Sequence, residues 1–331
     1  MFALIFDLHC DTLLGIYHAK RRGNPFSFQS SSLQIDEEKL KKGGYFAQCF
    51  AAFVPVSEEN PYALCKELID TYDAVLSSSK LLSPVLKFSD FAKNKKAGKI
   101  SSMLTMEDAA PIGTSFENLR EFYRRGVRMI GLTWNYPNAV GYPNYKGFTL
   151  GQKPDLFTPE IEHGLTEFGI ALVEEMNDLG IVIDVSHLSD KGFYDVIQRS
   201  KKPIMASHSN ARGVCRNVRN LSDDMLKNLA ENGGVLGINY ANGFLCEEEE
   251  RGRQTIPFVI EHINYIKRKI GVEHIALGSD FDGIDPNVSL ADASYLPLLI
   301  KELEKAGFTA KEIEGIAYQN ALRVFQENMQ E

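Results

Sequence analysis

Five residues far apart in the chain have the chemistry of metal ligands: His9, Asp11, Glu107, His187 and His208. Imidazole nitrogen and carboxylate oxygen are what divalent zinc takes. His9 and Asp11 are two residues apart, so on an extended segment both point to one side and can hold one ion. His187 and His208 lie in separate segments and would hold a second. Glu107 has two oxygens, enough to bridge both. Two ions roughly 3.5–4 Å apart can share a water, lower its pKa and polarise a scissile carbonyl. Asp280, in Gly278-Ser-Asp-Phe-Asp-Gly283, can take the proton from that water and hand it to a leaving amine. His18, His163, His262 and His274 read as core or surface residues, and Asp282 as a turn or cap residue.

Each of these groups ends or follows a short apolar run, and those runs must position them. Residues 2–6 precede His9, residues 102–106 precede Glu107, residues 181–185 precede His187 and residues 203–207 precede His208. Eight strands are predicted, at 3–7, 45–53, 102–106, 129–133, 182–185, 204–207, 234–239 and 275–278. Helical periodicity covers 60–77, 115–125, 169–179, 190–199 and 221–230, the last with Ser222 as N-cap. Residues 309–327 form an amphipathic helix expected to close the wall. Short apolar strands alternating with helices read as a parallel sheet buried on both faces, and eight is the count that closes a (β/α)8 TIM barrel. An open doubly wound sheet is the competing architecture, but the glycine-rich loop after its first strand is missing. In the barrel the ligand residues stand at the ends of the first, third, fifth, sixth and eighth strands, at the mouth where such folds do chemistry.

The 331 residues suit one catalytic domain over 1–331, and 44% hydrophobic with 24% charged residues is an ordinary globular composition. A net charge of -8 argues against nucleic acid as a partner. Homodimerisation is left open. The five cysteines, an odd number, do not form a disulfide framework and suit a reducing compartment. Cys10 should face away from its neighbours His9 and Asp11. No stretch reaches the ~18 apolar residues of a membrane span, and no basic region marks a signal peptide, so a cytoplasmic protein is expected. Residues 135–163, rich in Tyr, Pro, Asn and Gly, form a long loop expected over the mouth. Residues 246–250 with 251–253, and the lysine-rich 93–99, read as solvated surface, the latter as a basic turn.

The chain resembles the renal, or membrane, dipeptidase family over nearly its whole length. The residues that carry the resemblance are Asp7-Leu-His-Cys-Asp-Thr12, Gly126-Val-Arg-Met-Ile-Gly-Leu-Thr133, Ile183-Asp-Val-Ser-His-Leu-Ser189, Ala206-Ser-His-Ser-Asn-Ala-Arg212, Gly278-Ser-Asp-Phe-Asp-Gly283 and Asn320-Ala-Leu-Arg-Val-Phe325. The resemblance implies a (β/α)8 barrel with two zinc ions that hydrolyses dipeptides with free termini, including those ending in a D-residue. It implies that His9, Asp11, Glu107, His187 and His208 are the ligands, with Glu107 as bridge, and that Asp280 is the acid/base. Arg219 matches the arginine that holds the substrate carboxylate. By its position alone Arg219 would read as a surface charge. The chain departs from the pattern at Trp134, where mammalian members place an oxyanion-stabilising histidine; an indole donates one hydrogen bond and carries no charge. Two other readings compete: a lactone, amide or phosphoester hydrolase on the same barrel, and a non-catalytic metal- or peptide-binding protein.

Overall fold

A computed structural model describes residues 3–23, 26–247 and 254–331. Nine strands run β1 Ile5–Asp7, β2 Tyr45–Phe53, β3 Leu82–Pro84, β4 Ile100–Glu107, β5 Val127–Gly131, β6 Val182–Asp184, β7 Met205–Ser209, β8 Val235–Ile238 and β9 Ile275–Leu277. All pair in parallel, in the order β2-β1-β9-β8-β7-β6-β5-β4-β3. A further pairing of β2 with β4, from Ala47↔Ser101 to Phe53↔Glu107, closes eight of them into a barrel with helices outside.

The eight expected strands are therefore present, with shifted ends. β3 was not expected. It is three residues long, contains Pro84 and lies beside the first residues of β4, below β5, which pairs with the later ones. Such a fragment has too little apolar pattern to be read as a strand.

Predicted helices at 60–77, 115–125, 169–179, 190–199 and 221–230 appear as Pro61–Ser78, Phe116–Arg124, Glu167–Leu179, Asp190–Arg199 and Asp223–Glu231. The Ser222 side chain accepts from the Met225 N–H at 3.2 Å, as an N-cap does. Two expectations need correction. The lysine run 93–99 is no simple turn: Lys93, Lys95 and Lys96 end the helix Ser89–Lys96, where cations favour the negative end of the helix dipole. The C-terminal helix is broken by a π-helical turn, Gly315–Gln319, between Ala310–Glu314 and Asn320–Asn328. Only its first part lies in the wall, where Ile313, Ile316 and Ala317 join the larger apolar cluster. Ala321, Val324 and Phe325 pack with Phe6, Phe46 and Phe91 and so plug the N-terminal end of the barrel.

The larger apolar cluster fills the layer between strands and helices. Cys10 is buried there, and its thiol donates to the Cys49 carbonyl at 3.3 Å. No helix or strand interrupts the loop from Gly131 to Glu167. It is held down by bridges of Gly141 with Leu165, Pro143 with Leu188 and Tyr145 with Pro159. The acidic run lies outside the described residues from Glu248 on.

Candidate metal centre and substrate cleft

The barrel brings the predicted residues to one end. His9 follows β1 and Asp11 starts the helix Thr12–Arg21; Glu107 ends β4, His187 follows β6, His208 sits in β7 and Asp280 follows β9. All except Asp280, which is slightly more open, are buried.

Glu107 is the centre of the cluster. Its Oε2 lies 3.3 Å from His9 Nε2, which is 3.6 Å from Asp11 Oδ2. Its Oε1 lies 2.9 Å from His187 Nε2 and 3.6 Å from His208 Nε2. One carboxylate thus faces two pairs of ligand-type groups, one with each oxygen.

The hydrogen bonds around His187 decide its tautomer. Nδ1 lies 2.8 Å from Asn135 Oδ1, an acceptor, so Nδ1 carries the proton. Nε2 then presents a lone pair toward Glu107 Oε1, which is also an acceptor. His9 Nε2 and Asp11 Oδ1 are buried with no hydrogen-bond partner. Converging lone pairs and orphaned acceptors repel one another unless a cation lies among them. The donor set of imidazole nitrogens and carboxylate oxygens therefore fits divalent metal ions.

The charges tell the same story. Burial lifts the pKa of Asp11 to about 8, with the Glu107 charge adding to it. Burial lifts Asp280 to about 6; Glu107 pushes up as well, while His9 pulls down. Burial would drive His9 down, but Glu107 and Asp11 overcome it and hold it well above the usual histidine range. Burial, with Arg219 adding to it, pushes His187 down to about 3, and burial with His9 pushes His208 well below its usual value. Three carboxylates and three imidazoles crowded in one low-dielectric site perturb each other as functional groups do.

Backbone strain is concentrated here. Among the described residues four non-glycines have positive φ: Asp108 (71°), His187 (68°), Asp280 (63°) and Asp282 (67°). All follow strand ends at the mouth. The left-handed conformation turns the chain sharply, so that His187 and Asp280 aim inward; Asp and His tolerate it better than most. Asp280 is held by Asn239, whose Nδ2 donates to Oδ2 at 2.9 Å. Asp282 is a turn residue, as expected, and more: its carboxylate accepts from Thr12 Oγ1 at 2.6 Å and from the Gln34 N–H at 2.6 Å.

A cleft of about 430 Å³ opens over the cluster, lined by Asp11, Glu107, His187, Asp280, Arg219 and Trp134 among others. A concavity of similar size, near Lys20 and Glu37, holds no ligand-type cluster. Trp134 packs 5.0 Å from the Phe53 ring and 6.2 Å from that of His187, centroid to centroid. Arg219 is no surface charge; only 1% of it is exposed. It lies 5.2 Å over the Phe244 ring, its Nη1 and Nη2 donate weakly at 3.4 Å to Ser209 Oγ and the His208 carbonyl, and its Nε has no partner.

Tyr145 and Asn135, from the long loop, line the same cleft, as do Phe244 and His18. Asn239, Tyr145 and Phe244 carry no motif of their own, and His18, expected as a core or surface residue, lies at the cleft. The long loop was the one signal for Tyr145. His262 and His274 are satisfied within the fold: His262 Nδ1 accepts from the Ala211 N–H, and Nδ1 of His274 donates to the Gly234 carbonyl.

The family model described as "Membrane dipeptidase (Peptidase family M19)" matches residues 2–331. An uncharacterised dipeptidase of Schizosaccharomyces pombe is 32% identical over 316 residues, covering 91% of this chain and 74% of that one. The crystal structure of dipeptidase AC, an M19 metallopeptidase, superposes with a TM-score of 0.89 at 28% identity, covering 99% of both chains. A metallopeptidase from Rhodobacter sphaeroides, liganded with a phosphinate mimic of the dipeptide L-Ala-D-Ala, gives a TM-score of 0.89 at 27% identity, covering 98% of this chain and 99% of that one. With the family matched from end to end and ligand-type residues gathered at the barrel mouth, the chain belongs to the membrane dipeptidase family and is a metallo-dipeptidase.

Proposed function

We propose that this protein is a zinc-dependent dipeptidase of one catalytic domain, cytoplasmic, acting on dipeptides with free termini. The observation that carries the two-ion reading is the division of Glu107: Oε2 faces His9, which lies beside Asp11, and Oε1 faces His187 and His208. His9, Asp11, His187 and His208 would hold two zinc ions with Glu107 between them. Zinc bound there supplies a water of lowered pKa and polarises the peptide carbonyl.

The remaining steps belong to the chain. Arg219 receives the substrate carboxylate, pairing its buried guanidinium in bidentate fashion. The carboxylate held there fixes the scissile bond over the cluster. Asp280 takes the proton of the attacking water on its carboxylate and returns it to the leaving amine. Its left-handed turn and the Asn239 amide hold that carboxylate in place. Trp134 and Phe53 form an apolar wall against a substrate side chain, and Trp134 adds no charge to the oxyanion. The relative from R. sphaeroides binds a mimic of L-Ala-D-Ala, which supports acceptance of a C-terminal D-residue here.

The test is a dipeptide panel, L,L and L,D, assayed on zinc-loaded protein with elemental analysis of the same sample. Two zinc ions per chain and turnover of dipeptides are expected. One ion at saturation removes the bridging role of Glu107. Turnover of lactones or phosphoesters but not dipeptides overturns the substrate class.

A further inference from the structure

Two buried aspartates outside the ligand set, Asp7 and Asp184, make the same bonds in two places. Asp7 ends β1. Its Oδ1 accepts from the N–H groups of His9 (3.4 Å) and Ser279 (2.8 Å), and its Oδ2 from the Ser279 hydroxyl (2.6 Å). Asp184 ends β6. Its Oδ1 accepts from the N–H groups of Ser186 (3.0 Å) and Ser207 (2.9 Å), and its Oδ2 from the Ser207 hydroxyl (2.5 Å). In each case one carboxylate shapes the turn after its own strand and grips a serine in, or just after, the neighbouring strand. Each gripped serine immediately precedes a site residue: Ser207 precedes His208, and Ser279 precedes Asp280. Three donors per carboxylate are the condition for burying it at tolerable cost.

The Asp184 grip also sets a proton. Ser207 Oγ gives its only hydrogen to Asp184, so toward His208 Nδ1, 2.7 Å away, it can only accept. His208 therefore carries its proton on Nδ1 and turns the Nε2 lone pair toward Glu107 Oε1. The main chain is drawn in at the same point. A Cβ on Gly237 or Gly278 would lie 2.0 or 1.8 Å from the Ser207 carbonyl oxygen, and the β7–β8 register slips between Ala206 and Ser209. Only glycine leaves space for this approach.

We propose that Asp184–Ser207 and Asp7–Ser279 are two positioning clamps with separate effects: the first fixes the tautomer and aim of His208 and so tunes metal affinity, and the second aims the Asp280 carboxylate and so tunes turnover. This rests on the ligand and proton-carrier roles proposed above for His208 and Asp280.

The test uses the full chain and zinc, with affinity read by competition against a chromophoric chelator. Ser207→Ala removes the acceptor and should weaken zinc binding about 10- to 100-fold, the usual loss when an outer partner of a ligand is removed. Asp184→Asn keeps the shape but turns an amide N–H toward Ser207 Oγ. The hydroxyl hydrogen is then pushed to His208 Nδ1 and the wrong tautomer is favoured. It should weaken zinc binding to a similar degree while the circular dichroism of the fold is kept. Ser279→Ala should lower kcat roughly 10- to 100-fold at constant KM, the scale of a misplaced reacting group, with a smaller loss of zinc affinity than Ser207→Ala, because its hydroxyl also lies 3.1 Å from the His9 carbonyl.

Wild-type zinc affinity in folded Ser207→Ala and Asp184→Asn overturns the first clamp. Unchanged kcat in Ser279→Ala, or equal loss of affinity in all three variants, overturns the second. A wild-type chain that binds fewer than two zinc ions would instead overturn the two-ion reading, so the two failures are distinguishable.

Discussion

Replacing Arg219 gives the sharpest measure of how substrate is recognised. The guanidinium is 1% exposed, and no carboxylate among the described residues lies within ion-pair distance of it. Its bonds to Ser209 and His208 are long, and Nε has no partner. Burial lowers its pKa, with Tyr145 and Asp280 acting the other way, yet arginine stays protonated in proteins. The protein thus holds a positive charge in a low-dielectric wall of the cleft with donors to spare. The substrate carboxylate proposed above would supply the missing partner. Truncating one partner of such a desolvated pair costs about 2–5 kcal/mol. At about 1.36 kcal/mol per decade, kcat/KM of Arg219→Ala for a dipeptide should fall roughly 30- to 5000-fold. The matched dipeptide amide lacks the charge and should lose far less. Zinc content should be unchanged. A second consequence follows from the same burial: Arg219→Met replaces an unpaired buried charge by an apolar side chain and should raise the Tm of the substrate-free protein by a few degrees while losing activity. The assay is steady-state kinetics on the acid and amide pair, with differential scanning calorimetry on the variants. Equal losses on acid and amide would refute the carboxylate handle, and a Tm that falls in Arg219→Met would refute the reasoning that this charge is unpaired.

Asp280→Asn should keep zinc but lose about 10²–10⁴ in kcat, the contribution of a positioned acid/base; near-normal turnover of the fully loaded variant removes Asp280 from that role. Gly283→Ala should disturb both Asp11 and Asp280, because its Cβ would lie 2.2 Å from Asp11 Oδ2 and 2.5 Å from Asp280 Oδ1; zinc affinity and kcat measured together should both fall, and wild-type values for both would refute it. Burial pushes His262 down to about 4, against a bond to the Leu245 carbonyl that acts the other way. The unfolded chain, titrating near 6.5, then binds the proton first, so this stability is present above pH 6.5 and is lost as the pH falls toward 4. Between pH 7 and 5 the loss is about 2 kcal/mol, read as the difference in urea unfolding between wild type and His262→Gln, which keeps a donor and an acceptor but does not titrate; identical pH dependence in the two proteins would count against it.

What could be read in the sequence follows from how local the signal is. Strands such as residues 102–106 and helices such as 190–199 announce themselves through apolar runs and spacing, and the barrel follows from their alternation. The ligand-type residues are legible because a histidine or carboxylate at the end of an apolar strand is chemically out of place. Arg219 was not legible from position, since its burial depends on Tyr145 from the long loop and on Phe244, each distant in sequence. The π-helical break at Gly315–Gln319 has no composition of its own; it appears only where the chain must turn to plug the barrel. The clamps are the instructive case. Asp184 and Ser207 are 23 residues apart and Asp7 and Ser279 are 272 apart, so no spacing rule links them. Yet half of each clamp carries a signal in its own segment. Asp7 ends the run Ala3-Leu-Ile-Phe-Asp7 and Asp184 interrupts Ile181-Val-Ile-Asp-Val185. A carboxylate in a strand buried on both faces is costly unless several donors meet it. Such a residue, standing just before a histidine of ligand type, predicts a hydroxyl and an N–H from the neighbouring strand, even when the sequence alone does not say which strand will provide them.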